Sequence, residues 1–161
     1  MPPAEILPLD QLTRRIGALR GKGKKIALAN GGFDLLHIGH IRYLQDAKAQ
    51  ADILVVALNS DSSLRRLKGK QRALIDETGR TRMIAALACV DFVTLFGESR
   101  VDRVLLALKP EVHCKGSDYT AETVPEREVV TSYGGRIAIV GGEKIRSTST
   151  IIMQIRGLYP N

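Results

Sequence analysis

The run ANGGFDLLHIGH, Ala29 to His40, decides how the rest of the chain is read. It closes an apolar stretch (Ile26, Ala27, Leu28, Ala29), passes through Gly31, Gly32 and Asp34, and sets His37 and His40 around Gly39 where a helical pattern begins. The local order is therefore strand, tight turn, helix start. The first turn of a helix carries unpaired backbone N–H groups and the positive end of the macrodipole, so it draws phosphate. Two imidazoles three residues apart face the same way, and Gly39 lacks the side chain that would hold a phosphate off the backbone. The turn predicts a polyphosphate ligand.

Working outward, Ile41, Leu44, Ala47 and Ala51 continue one apolar face, and ILVVALN (Ile53 to Asn59) is a buried-strand run. This is a βαβ unit, whose right-handed crossover places the histidine turn at the carboxyl edge of a parallel sheet, where open α/β folds bind ligands. Asn59 ends its strand at that edge and is a substrate-side candidate. Further strands are predicted at Asp91–Phe96, within Glu111–Tyr119, where a strand is followed by a turn, and at Arg136–Val140, each with a helix after it. The prediction is an α/β, Rossmann-like parallel five-stranded sheet with helices on both faces. A first helix over about residues 10–20 has Asp10 as its N-cap and Gly21 just past its end.

The basic stretch RRLKGKQR (Arg65 to Arg72) falls between two patterned segments and reads as a mobile loop over the site, with Lys68 as phosphate clamp. Asp76 is placed to cap the next helix. The closing helix opens at RSTST (Arg146 to Thr150) with Ile151, Ile152 and Ile155 inward.

Composition limits the alternatives. The 161 residues are 44% apolar and 25% charged, which fits a single domain, 1–161, with its core at about 24–156. No run approaches the ~20 apolar residues of a membrane span, and MPPAEI at the start lacks the basic and apolar regions of a signal peptide, so no membrane partner and a cytoplasmic location are predicted. Cys89 and Cys114 have no zinc spacing and read as reduced, structural thiols. The net charge of +7 suits anionic metabolites; aromatics are only 4%, so stacking platforms for nucleic acid are not expected.

The pattern Gly-x-Phe-Asp-x-x-His-x-Gly-His, from Gly31 to His40, resembles the nucleotidyltransferases that share the HIGH motif with class I aminoacyl-tRNA synthetases. LKGK at Leu67–Lys70, RMI at Arg82–Ile84, KGSDY at Lys115–Tyr119 and RSTS at Arg146–Ser149 follow in the family's order. Together they look most like the adenylyltransferase domain that makes ADP-heptose. The resemblance implies His37, His40 and Lys68 as catalytic groups. It implies nucleotide contacts from Gly31, Gly32, Phe33, Gly39, Arg82, Lys115, Gly116, Arg146, Ser147 and Thr148. Asn30, Asp34, Asn59, Asp118 and Tyr119 would meet the substrate.

The resemblance also implies a reaction between a nucleoside triphosphate and a sugar 1-phosphate, with ATP as the nucleotide and Mg²⁺ carried on it, and a homodimer. The metal ligands are unassigned, since no cluster of acids suggests an all-protein cage. Arg146 stands where the family often has isoleucine, and Gly142 where some cytidylyltransferases have arginine, which points away from the glycerol-phosphate branch. Two other readings stand beside it: a cytidylyltransferase acting on a polyol phosphate such as glycerol 3-phosphate, and a silent nucleotide-sensing or nucleic-acid-binding module.

Overall fold

The computed structural model describes residues 2–160, so the ends of the 1–161 domain assignment, Met1 and Asn161, lie outside the described residues. Strand β1 (Glu5–Ile6) precedes α1 (Leu9–Gly21), β2 (Ile26–Gly31), α2 (Ile38–Lys48), β3 (Ile53–Asn59), α3 (Asp61–Lys68) and α4 (Glu77–Ala85). Then come β4 (Phe92–Phe96), α5 (Asp102–Leu108), β5 (Val112–Lys115), α6 (Arg127–Ser132), β6 (Arg136–Ile139) and α7 (Thr148–Leu158). The strands form one parallel sheet in the order β1-β4-β3-β2-β5-β6.

The sheet has six strands rather than five. β1 is two exposed residues pairing Glu5 with Phe92 and Ile6 with Val93, too short to leave a periodic pattern. The five longer strands stand where the apolar runs put them, because a strand covered on both faces needs apolar residues at successive positions. Alternation sorts them by face. Ala27, Ala29, Leu54, Val56 and Leu58 pack with Leu44, Ala47, Ile84 and Ala85 of α2 and α4. Ile26, Leu28, Val55 and Ala57 pack with Leu12, Ile16, Val104, Leu105, Leu108 and Val130 of α1, α5 and α6.

Several local expectations are corrected. Pro8, not Asp10, takes the N-cap position of α1; Asp10 lies inside the first turn, where its charge suits the dipole, and Gly21 is the last helical residue. Arg65 to Lys68 are not loop: they form the last turn of α3, whose Ser60 cap accepts from the Ser63 N–H at 3.2 Å. Arginine and lysine are good helix formers and suit a helix C-terminus, so the charge run extends the helix until Gly69, at φ 104°, ends it. The irregular segment is therefore 69–76, and Asp34 ties it down by accepting from the N–H groups of Leu74 (2.8 Å) and Ile75 (3.0 Å). Ile155 faces out, 49% exposed, and α7 contains no fully buried residue.

Asp76 does cap α4, accepting from the Gly79 N–H at 2.7 Å. Cys89, in the turn after α4, and Cys114, in β5, are both free thiols, and burial pushes that of Cys114 up to about 12. Among the described residues no helix is long and apolar enough to cross a membrane.

Candidate active site

The carboxyl ends of β2, β3 and β5 open into a cavity of about 820 Å³. Its centre is the turn after β2. The helix α2 starts at Ile38, and His37 itself serves as the cap: its Nδ1 accepts from the Gly39 N–H at 3.1 Å. The His37 and His40 rings stack with centroids 3.8 Å apart. A Cβ on Gly39 would lie 2.9 Å from His37 Cε1 and 3.4 Å from the Arg146 carbonyl oxygen, so only glycine lets this turn meet the start of α7.

Phe33 holds the pair from behind. Its backbone is left-handed, φ 51°, a costly conformation for a bulky residue, and its ring meets His40 edge-on at 5.1 Å and stacks near Tyr43 at 6.4 Å. Tyr43 donates to the Cys114 carbonyl at 2.7 Å and so ties α2 to β5. Burial first, and then neighbouring His37, lower the His40 pKa to about 4, against the raising effect of the Leu35 carbonyl. Burial and then the charges of Arg146 and Lys144 lower that of His37. His40 is thus neutral at pH 7.

The α7 start faces this turn. Ser147 Oγ accepts from the Thr150 N–H and Thr150 Oγ1 from the Ser147 N–H, both at 3.1 Å, a capping box, while Thr148 Oγ1 donates to the Leu35 carbonyl at 3.3 Å. Arg146 is exposed at the cavity rim, its Nη1 donating to Gln154 Oε1 at 3.2 Å. Lys68, at the end of α3, lines the cavity from the other side.

The structure brings seventeen of the eighteen residues named from sequence into that lining: Asn30, Gly31, Gly32, Phe33, Asp34, His37, Gly39 and His40 with the β2 turn, Asn59 and Lys68 from the β3 side, and Lys115, Gly116, Asp118, Tyr119, Arg146, Ser147 and Thr148 from the β5 and β6 loops. Asp118 already pairs with Lys144 at 2.9 Å, joining those two loops, and Lys115 Nζ sits 4.9 Å from the Tyr119 ring centroid. Asn59 is 5% exposed and donates to Ser63 Oγ at 2.9 Å.

Arg82 is the exception: it is exposed on α4 and outside the cavity lining. Arg80, two residues earlier on the same helix, is wholly buried instead. Its guanidinium donates to the carbonyls of Ile75 (3.0 Å), Gly32 (2.6 Å) and Asn59 (2.9 Å) and to Asp61 (2.7 Å). Arg80 precedes Ile84 by four residues and so lies on the inward face; that spacing was the available signal. Also missed were Arg72, 3.6 Å from Asp34 Oδ2 and 3.3 Å from Ser149 Oγ, and the wall residues Arg100 and Glu126.

The chain is similar to several known proteins. A Geobacter metallireducens protein named "Bifunctional protein HldE" is 51% identical over 156 residues, 97% of this chain and 32% of the relative. Its Geobacter sulfurreducens counterpart is 46% identical over 156 residues, again 97% and 32%. The chain thus spans about a third of the length of the curated relatives it matches. The crystal structure of a lipopolysaccharide core biosynthesis protein from Thermoplasma volcanium superposes with a TM-score of 0.60 at 32% identity, covering 73% of this chain and 94% of that one. A pantoate-beta-alanine ligase from Francisella tularensis, 16% identical with a TM-score of 0.62 over 91% of this chain and 69% of that one, shares the fold. The cytidylyltransferase-like family pattern matches residues 28–157, from β2 through α7, and the chain belongs to that family.

Proposed function

We propose that this domain is an adenylyltransferase: it transfers AMP from MgATP to D-glycero-β-D-manno-heptose 1-phosphate, giving ADP-heptose and pyrophosphate. The observation that carries the reading is the stacked His37–His40 pair at the start of α2, closed by a side-chain-free Gly39 against the start of α7. The likeness to the HldE proteins and to a lipopolysaccharide core biosynthesis protein supports the sugar acceptor over other members of the family.

In this reaction an oxygen of the acceptor phosphate forms a bond to the α-phosphorus as the bond to the bridging oxygen of the leaving pyrophosphate breaks. The substrate supplies its own nucleophile, so no covalent enzyme intermediate is required. The work left to the protein is positioning and stabilisation of moving charge. His37 and His40 give N–H groups to the phosphates, and Lys68 and Arg146 offset the charge that builds on pyrophosphate. Mg²⁺ enters with the nucleotide, as MgATP; among the described residues no three His, Cys, Asp or Glu gather to hold a metal. A homodimer in the cytoplasm completes the proposal; its mass in solution is the check.

The test is pyrophosphate release from each of the four nucleoside triphosphates against a panel of sugar 1-phosphates and polyol phosphates. ATP with the heptose phosphate is the expected pair. Release with CTP and glycerol 3-phosphate, and none with the expected pair, would replace this reading by the cytidylyltransferase one.

A further inference from the structure

The cavity has two walls built from opposite faces of the sheet. The phosphate turn and Tyr43 belong to the α2 face. The facing wall comes from the loops that lead into α5 and α6: Arg100 donates to the Pro125 carbonyl at 2.7 Å, and Pro125 is followed by Glu126. Glu126 is 4% exposed, lines the cavity, and its Oε2 has no hydrogen-bond partner among the described residues. Lys115 Nζ stands 3.6 Å from that oxygen, near enough for charge but beyond hydrogen-bond length, and His113 Nε2, on a ring whose pKa burial lowers, stands at the same distance.

A buried carboxylate left short of donors is costly, about 1–3 kcal/mol or more, and such groups in native proteins ask for an explanation. Burial alone would raise the Glu126 pKa, but the contacts with His113 and Lys115 outweigh it and hold it at about 2. Ionised, the group only accepts hydrogen bonds. Its missing partner must be a donor: the hydroxyls of a sugar, or the exocyclic amine of a base. The direction of the reaction favours the hydroxyls. In-line transfer puts the entering and leaving oxygens on opposite sides of the phosphorus. With the leaving pyrophosphate on the α2 side, where the reaction proposed above puts it beside His37, His40 and Arg146, the acceptor would enter from the α6 side.

We propose that the wall of Arg100, Lys115 and Glu126 is the pocket for the acceptor sugar phosphate, with Glu126 the specificity-determining residue that accepts hydrogen bonds from its hydroxyls. This rests on the transfer reaction proposed above. Arg100, paired with Asp102 at 3.0 Å, and Lys115, here given to the acceptor instead of the nucleotide contact that the family resemblance implies, supply positive charge for the acceptor phosphate, and the ring hydroxyls reach the carboxylate beneath. A pocket that leaves a buried acceptor unpaired when a hydroxyl is absent rejects the deoxy analogue strongly.

The test is calorimetry on the full chain saturated with a magnesium complex of a non-hydrolysable ATP analogue. D-glycero-β-D-manno-heptose 1-phosphate, its monodeoxy derivatives and inorganic phosphate are the probes. For the unaltered protein, at least one deoxy derivative should bind ten-fold or more weakly than the parent sugar. Glu126→Gln should weaken the parent at least ten-fold, while its affinities for the ATP analogue and inorganic phosphate stay within about two-fold. A purely structural role would lower all three together. Equal binding of every deoxy derivative to the unaltered protein overturns the proposal without needing the variant to fold; so does a Glu126→Gln loss that falls on the ATP analogue instead of the sugar. Pyrophosphate release separates the two claims: sugar binding that depends on Glu126 without turnover overturns the proposed reaction alone, and turnover indifferent to Glu126→Gln overturns this inference alone.

Discussion

Arg80 and Arg146 both serve the turn after β2, and they do so in opposite ways. Arg80 lies beneath it, wholly buried, with its donors directed to three backbone carbonyls and Asp61. Arg146 lies above it, exposed at the head of a helix with no fully buried residue, and its one side-chain bond is to a neighbour on that helix. The first joins the β2 turn, the end of β3 and the start of α4 into one rigid floor. The second keeps its charge available to an anion from solvent. Charge that fixes the shape of the site is thereby separated from charge that meets the ligand, so stability and function should respond to different substitutions.

The largest effect tests the floor. Arg80→Met removes the buried cation and leaves Asp61 and the three carbonyls without it; losing one partner of a buried pair typically costs about 3–5 kcal/mol. Thermal melting of the free protein should show this, and a shift of only a degree or two would erase the contrast. Next comes the chemistry. His37→Ala or His40→Ala should lower turnover by ~10²–10³, or about 2.7–4 kcal/mol, with a smaller change in nucleotide affinity. Steady-state rates within about two-fold of the unaltered protein would sink the role assigned to the pair.

Arg146→Ala should then leave the melting temperature nearly unchanged while weakening triphosphate binding by about 1.5–3 kcal/mol, the usual worth of a charged hydrogen bond. Loss of melting temperature instead of affinity would make Arg146 a second Arg80. The smallest effect is in pH. The His40 pKa, lowered from 6.5 to about 4 in the folded protein, makes the unfolded chain bind more protons between those values. Its contribution to stability is full above pH 6.5 and is lost as pH falls from 6.5 toward 4. A melting series over that window should be flatter for His40→Gln than for the unaltered protein.

Why one arginine was readable and the other was not follows from what a sequence encodes. Strands β2 to β6 were visible as apolar runs, and the His37–His40 turn as a local pattern whose members are neighbours in the chain. The two-residue β1 carries no period, and the charges of Arg65 to Lys68 read as loop although the same residues favour a helix. The spacing to Ile84 gives Arg80 its inward face but not its partners, of which Asp61 and Gly32 lie 19 and 48 positions away, and Arg100 and Glu126 owe their places to the meeting of loops, as with Arg100 and Pro125. Such encounters are set by sheet order, which the histidine motif implies only in its central βαβ unit. Arg82 lies off the Met83–Ile84 stripe and by that pattern reads as a surface residue, as it is; only its family position makes it a nucleotide contact.

The short strand β1 bears on solubility. Without it, β4 would be the sheet's edge, and its FVTLF sequence is apolar, rich in strand-forming residues and free of charge. Exposed edges of that kind recruit other chains, and proteins protect them with very short strands or prolines. Glu5 and Ile6 cover the first half of β4, and Pro2, Pro3 and Pro8 flank them with residues that cannot donate to another ladder. A chain shortened to begin at Leu9 would keep the cavity and the histidine turn, yet it would present the edge of β4 to its neighbours, and self-association under refolding conditions is where the loss should first be seen.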